Sequence, residues 1–307
     1  MKIAIAGLGL IGGSFFKALS QTEHEVTGFD VGDEVDVHDA GIVIVALHPR
    51  TAIDWIQLHA GEFMEGAIVL DTCGIKGPVM AAVAQIAAGA KWRFCGGHPM
   101  AGKEVSGFRN SDATLFRSAT MILVPGEGID DDALATLNAL SLDAGFRRTL
   151  VADAAHHDEM IAYTSQLCHV ISSCYLRDEL AAAHDGFSAG SFRDMIRVGA
   201  PDPALWSQLF IDNQEALLPV LDRMIGRLAA MRASIAASDL EALSAQLSEG
   251  RAIKLKIDTG GNRWVSGKKT QKQVAGASEA KKIAKPFDMV RKAKSASGDE
   301  WTVPKEN

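Results

Sequence analysis

The sequence predicts an α/β fold, with a doubly wound, mostly parallel sheet in the first half and an all-α second half. Three observations carry this expectation. The first 30 residues read as strand, glycine turn, helix and strand. Short apolar runs bounded by turn residues recur up to about residue 125, and beyond about residue 150 long stretches with helical periodicity take over.

Taken in order, KIAIAGLGLIGGSFFKALSQTEHEVTGFD supplies the first βαβ unit, ending at Asp30. Only ten residues, VGDEVDVHDA, separate Asp30 from the next apolar run at Gly41, too few for the usual crossover helix and a further edge strand. The sheet is therefore expected to be shortened there, with its second strand near the edge. The runs GIVIVAL, GAIVLD, WRFCGG and ATMILVP are the remaining strands, with helical segments between several of them. From Asp153, read as an N-cap, AAHHDEMIAYTSQLCHVISSCYLRDELAAAH reads as one long helix. DGFSAGSFRDMIRVGAPDP breaks the pattern, a second long helix runs from Leu205 to about Met231, and a third from Asp239 to about Lys256. The expected domains are residues 1–151, a helical unit over 152–256, and a tail over 257–307.

The bulk numbers fit this division. A chain of 307 residues exceeds the usual size of one hydrophobic core, and 47% hydrophobic with 22% charged residues is an ordinary globular balance. No apolar run approaches the roughly 20 residues of a membrane span, and no secretory leader is visible, so a cytoplasmic protein is expected. Cys73, Cys95, Cys168 and Cys174 show no CxxC spacing and read as reduced thiols in apolar surroundings, with no metal site. From Arg251 onward there are 14 basic and 6 acidic residues, against 17 and 32 before it. The tail is basic and poor in large apolar residues, so it reads as a solvated, loosely ordered segment rather than a nucleic-acid binder.

GLGLIGGS carries GxGxxG between a strand and a helix, the context in which the pattern binds a dinucleotide in a Rossmann-type domain. Gly7 permits the turn, Gly9 admits the pyrophosphate, and Gly12 allows the helix to pack closely. The helix start at Leu10 and Ile11 offers free N–H groups to phosphate. Asp30, 23 residues after Gly7, is placed to accept from the adenosine ribose hydroxyls, which favours NAD over NADP; a flavin dinucleotide is the competing ligand.

GGHPMAGKEVSGF, residues 96–108, follows the strand WRFC and reads as an irregular loop at the carboxyl edge of the sheet. Glycines on both sides of His98 would let the backbone approach the cofactor, and Pro99 would limit the loop's freedom. An imidazole held beside a nicotinamide can take a proton from a hydroxyl while hydride leaves the same carbon.

GLGLIGGS, DTCGIKG, GGHPMAGKEVSGF, HHDEMIAYTSQLCHVISS and SFRDMIRVGAPDPALW, in this order, resemble the prephenate and arogenate dehydrogenases of tyrosine biosynthesis over about residues 1–255. The resemblance implies a Rossmann domain, a helical dimerisation domain forming a homodimer, and a site between them. It implies NAD-dependent oxidative decarboxylation of prephenate to 4-hydroxyphenylpyruvate, or of arogenate to tyrosine. His98 falls on the catalytic histidine, His169 on the second-domain histidine, and Arg197 on the arginine that binds substrate carboxylate. Glu104, Lys103, Gln166, Asp158 and Trp206 are the further substrate-site positions.

Helical spacing puts Asp158 and His169 within about 20° on one face, and Arg193 one turn from Arg197. Three positions depart from the pattern: Gly74 stands near the cofactor where many relatives carry serine, Gln166 where many have histidine, and Lys103 where threonine is frequent. Other readings of the same architecture are a 3-hydroxyacid or imine-reducing dehydrogenase, or a catalytically silent NAD-sensing dimer.

Overall fold

In the structure, a computed structural model, residues 1–103 and 105–259 are described. Glu104 and most of the basic tail, from residue 260, lie outside the described residues. The sheet half runs β1 (Lys2–Ala6), α1 (Leu10–Leu19), β2 (Glu25–Phe29), β3 (Ile42–Val45), α2 (Pro49–His59), β4 (Ile68–Asp71), α3 (Gly77–Ile86), β5 (Arg93–Pro99), β6 (Thr120–Pro125), α4 (Asp131–Asp143) and β7 (Arg148–Val151). Its seven strands lie in the order β2-β1-β3-β4-β5-β6-β7, all parallel neighbours except the antiparallel pair β5–β6.

The four-residue apolar runs become central strands because both faces of the sheet are covered. Side chains alternate across it. Ile3, Ile5, Ile44 and Leu70 pack on one side with Phe15 and Leu19 of α1 and Leu137 and Leu140 of α4. Ala4, Val43, Val45 and Val69 pack on the other with Ala52 and Ile56 of α2 and Val79 and Val83 of α3. Each such large side chain contributes roughly 1.5–3 kcal/mol on burial, and together they fix the register.

As expected, β2 is an edge strand. The short connection to β3 has no helix. Instead Val37 and Ala40 are inserted into the core beside Phe29, covering the area a crossover helix would cover.

The helical half differs from its expected outline. Asp153 does cap the first helix, accepting from the His156 N–H at 2.8 Å. The predicted single helix is split, however, into α5 (Ala154–Ile161), a π-helical turn (Ala162–Gln166), α6 (Leu167–Leu176) and α7 (Glu179–Ala182). After α8 (Gly190–Ile196), the predicted second helix also divides, into α9 (Pro203–Asp212) and α10 (Gln214–Ala236), and α11 (Leu240–Asp258) follows. The breaks have visible causes. Asp178 caps α7, and Asn213, between α9 and α10, donates its amide to Gln166 Oε1 at 2.7 Å and to the Asp158 carbonyl at 3.2 Å.

Contrary to expectation, not all four cysteines sit in buried apolar surroundings. Cys73 and Cys95 are buried free thiols, but Cys168 and Cys174 are exposed, because the helical half is thinly packed. Its buried core is small: Ala162, Leu167, Leu217 and Val220. Apolar residues on α10 at Leu218, Ile225, Leu228 and Ile235 are left exposed along one side. No helix among the described residues is long and apolar enough to cross a membrane.

Candidate active site

The turn after β1 is shaped for a phosphate. Gly7 has φ of +86°, and a Cβ there would meet the Ala46 carbonyl at 2.6 Å. A Cβ on Gly12 would fall 1.9 Å from the Gly7 carbonyl, so the helix packs on the turn only with glycine. At Gly9 a Cβ would meet nothing within 4 Å, which leaves an open face over the start of α1. Gly9 caps that helix without a side chain, so the N–H groups at Leu10 and Ile11 have no side-chain cap to compete with an anion. Asp30 is exposed directly after β2, its Oδ1 accepting from Val31 N–H at 2.9 Å. These residues fit a dinucleotide.

His98 is not in a loop, and the sequence expectation is corrected here. It lies in β5 and pairs with Ile122 of β6, near the carboxyl edge shared by β1, β3 and β4. The two preceding glycines also have a different reason from the expected one. A Cβ on Gly96 would lie 3.0 Å from Lys76 Cδ, and one on Gly97 would lie 2.4 Å from the Asp71 carbonyl. On one face of the strand Gly96 makes room for Met80 and the Lys76 chain, and on the other Gly97 lets β5 approach the β4 backbone.

The ring of His98 belongs to a relay. Its Nδ1 lies 2.8 Å from His157 Nε2, and His157 Nδ1 lies 2.7 Å from Asp158 Oδ1. A carboxylate only accepts, so His157 donates from Nδ1, and in the neutral ring Nε2 accepts from His98 Nδ1–H. His98 Nε2 is thereby left as a lone pair. It faces Gly74, where a Cβ would stand 3.8 Å away, in ordinary contact. Burial, then the neighbouring His157, then Lys76 hold the His98 pKa well below the usual histidine range. Neutral His98 has the chemistry to accept a proton at Nε2.

Asp158 was expected on the substrate side, and the structure corrects this. Its carboxylate is buried, with Oδ1 accepting from the Lys76 N–H at 2.8 Å and Oδ2 from the Gly77 N–H at 2.7 Å. It caps α3 and anchors His157. Gln166 is likewise corrected: it is buried, its Nε2 donates to the Leu209 carbonyl at 3.2 Å, and its Oε1 accepts from Asn213. The π-helical turn lies between Asp158 and His169, which meet different partners: Asp158 the start of α3, His169 the Val198 carbonyl and the Trp206 ring.

On the helical side, His169 Nδ1 donates to the Val198 carbonyl at 2.9 Å, and the ring lies on Trp206 with centroids 3.5 Å apart. Arg197, next to Val198 at the end of α8, is exposed, as is Arg193. Holding Val198 therefore fixes the backbone that presents the Arg197 guanidinium. Lys103 is exposed and donates to the Asn110 carbonyl at 3.2 Å, tying the segment after β5 to itself.

Three members of the site escaped the sequence reading: His157, Asp71 and Lys76. Lys76 and Asp71 form a fully buried ion pair, and Asp71 also accepts from Cys73 N–H at 2.9 Å and Gly97 N–H at 3.0 Å. Both lie in DTCGIKG and His157 opens HDEM, so the motifs held them. Two charged residues within an otherwise apolar strand-to-helix turn were the available signal. Burial pushes the Cys73 thiol well up, and the Cys95 thiol to about 12, so neither competes as a nucleophile.

Comparison with known proteins identifies the family. Residues 17–149 match the family model for the prephenate dehydrogenase nucleotide-binding domain, and residues 153–249 that for the prephenate dehydrogenase dimerization domain. The chain is 30% identical over 286 residues to a cyclohexadienyl dehydrogenase of Zymomonas mobilis, covering 84% of this chain and 96% of that one. It is 26% identical to the prephenate dehydrogenase of Bacillus subtilis, covering 78% and 72%.

Among solved structures, Synechocystis arogenate dehydrogenase superposes with a TM-score of 0.74 at 24% identity, over 84% of this chain and 100% of that one. Aquifex aeolicus prephenate dehydrogenase, in complex with hydroxyphenyl propionate and NAD+, gives 0.72 at 23% identity, over 84% and 98%. At these identities the likeness is one of fold. The matches along both domains, with the relative at 30% identity, place this chain in the prephenate dehydrogenase family.

Proposed function

We propose that the chain catalyses the NAD-dependent oxidative decarboxylation of prephenate to 4-hydroxyphenylpyruvate, as a homodimer joined through its helical half. The observation that carries this reading is the Asp158–His157–His98 relay, which leaves the His98 Nε2 lone pair at the carboxyl edge of the sheet. NAD would be held by Gly7, Gly9 and Gly12, the N–H groups of Leu10 and Ile11, and Asp30, and when bound it supplies the acceptor for hydride from ring C4. His98 Nε2 accepts the proton of the ring C4 hydroxyl as that carbon becomes a carbonyl. The ring carboxylate then leaves as CO2, its bonding electrons complete the aromatic ring, and the carbonyl oxygen takes up a proton to become the phenol.

Protonated His98 keeps its Nδ1–H on His157, whose own Nδ1–H stays on the Asp158 carboxylate, so the new charge is met by an anion two residues along the relay. Arg197 supplies a planar cation for a substrate carboxylate, with His169 and Trp206 supporting the backbone beside it. The exposed apolar side of α10 and the match to a dimerization domain support the homodimer. The names of the relatives support a cyclohexadienyl substrate.

The test is an assay by NADH absorbance with prephenate and arogenate, each with NAD and NADP. The proposal expects the highest kcat/KM for prephenate with NAD. A higher value for arogenate would move the chain to tyrosine formation, and no reduction with either substrate would reject the enzyme reading.

A further inference from the structure

The side chains around His98 close into a ring. Lys76 Nζ is paired with Asp71, Asp71 Oδ1 accepts from Gly97 N–H at 3.0 Å, and Gly97 is the residue before His98. His98 Nδ1 meets His157 at 2.8 Å, His157 meets Asp158 at 2.7 Å, and Asp158 Oδ1 accepts from the backbone N–H of Lys76 at 2.8 Å. The ring thus starts and ends on one residue and passes through β4, β5, the turn before α3, and α5.

We infer that the buried Asp71–Lys76 pair is a positioning device for His98, fixing its backbone through Gly97 and holding the turn whose Lys76 N–H meets Asp158, and so the His157 that orients the ring. The inference rests on His98 being the proton acceptor.

Two observations carry it. The first is location: both side chains are fully buried, where an ion pair is costly and an apolar pair of similar volume usually does as well for stability. A pair kept under such cost and wired into the strand bearing the base has positioning as its physical reason. The second is the direct tie to the strand: Asp71 Oδ1 accepts from the Gly97 N–H at 3.0 Å, and the absence of a Cβ at Gly96 leaves room for the Lys76 chain, whose Cδ would lie 3.0 Å from it. Lys76 also acts through space. The groups facing His98 are Asp71 from the end of β4, Lys76 from the turn before α3, and His157 and Asp158 from α5. Of these, His157 and Lys76 oppose its protonation.

Removing the Lys76 cation eases proton uptake by His98, so the sign is fixed. In Lys76→Met, the acid limb of the kcat/KM profile moves to higher pH by about one unit, and kcat falls more than KM changes. The paired neutral variant Asp71→Asn/Lys76→Met removes both charges. It loses kcat through the weakened Gly97 anchor, with a smaller shift of the acid limb than Lys76→Met.

The companion measurement needs no folded variant of the pair. Ring-nitrogen NMR of histidine-labelled wild-type dimer, assigned by difference with His98→Gln, should show His98 neutral with the proton on Nδ1 well below pH 6.5. Titration at an ordinary 6.5, or the opposite tautomer, overturns the device even if Lys76→Met does not fold. A folded Lys76→Met with both the acid limb and the His98 titration unmoved overturns it too. If His98→Gln turns over prephenate at the wild-type rate while the NMR result holds, the device stands and the proton-acceptor role falls.

Discussion

At the rim of the sheet, His98 is bracketed by Gly97, anchored on Asp71, and by His157, anchored on Asp158. Its partners His157, Asp158, Asp71 and Lys76 are all buried. In the helical half, His169 meets the Val198 carbonyl and the Trp206 ring, on elements whose neighbouring side chains, Arg193 and Arg197 among them, are exposed. The sheet rim is over-determined before any ligand arrives, while the helical side presents long, unburied side chains from a small core. Proton transfer demands tenths of an ångström and a fixed tautomer. Carboxylate capture tolerates a flexible cation that settles on its ligand. The difference between the two regions matches the difference between the two tasks proposed for them.

The widest test of that contrast is His98→Asn, which should lower kcat by roughly 10²–10⁴ with only a modest change in KM, because an amide cannot take the proton. Steady-state NADH formation with prephenate measures this, and wild-type turnover would erase the distinction between the regions. Arg197→Ala should act on the other side of the division. A charge-assisted contact of about 1.5–3 kcal/mol corresponds to a KM raised roughly tenfold to a hundredfold, with kcat little altered. An unchanged KM removes Arg197 from the substrate site. The smallest effect is expected from Gly74→Ser. Its Cβ has ordinary room beside His98 Nε2, and a hydroxyl donating there competes with substrate by no more than about tenfold in kcat/KM. A near-total loss instead would mean that the space beside Gly74 is needed by a ligand.

The strands were legible because continuous apolar runs such as IVIV and IVLD have few alternatives once both faces must be buried. The short connection after Asp30 was equally plain from its length. His98 was misread as a loop residue because Gly-Gly-His-Pro has weak strand preference, and its pairing depends on a strand, β6, that begins 22 residues later. The π-helical turn was invisible because helical periodicity continues on both sides of it. Asn213, which divides α9 from α10, makes its bonds to residues 47 and 55 positions away. The relay was hidden for the same reason. His98 to His157 spans 59 positions and Lys76 to Asp158 spans 82, and no local pattern reports such pairs. What the sequence did expose were the motifs; which of their residues bond to one another was decided by the fold.

The π-helical turn at Ala162–Gln166 has a consequence for how this half of the molecule can vary. It works as a phase adjuster between a segment clamped to the sheet and a segment that carries the His169–Trp206 stack. Losing one residue there would let the wide turn close as an ordinary α turn, so the side chains within the turn change direction while the flanking helices stay nearly in phase. Insertions and deletions at this point therefore re-aim side chains while leaving the helix count and the topology untouched.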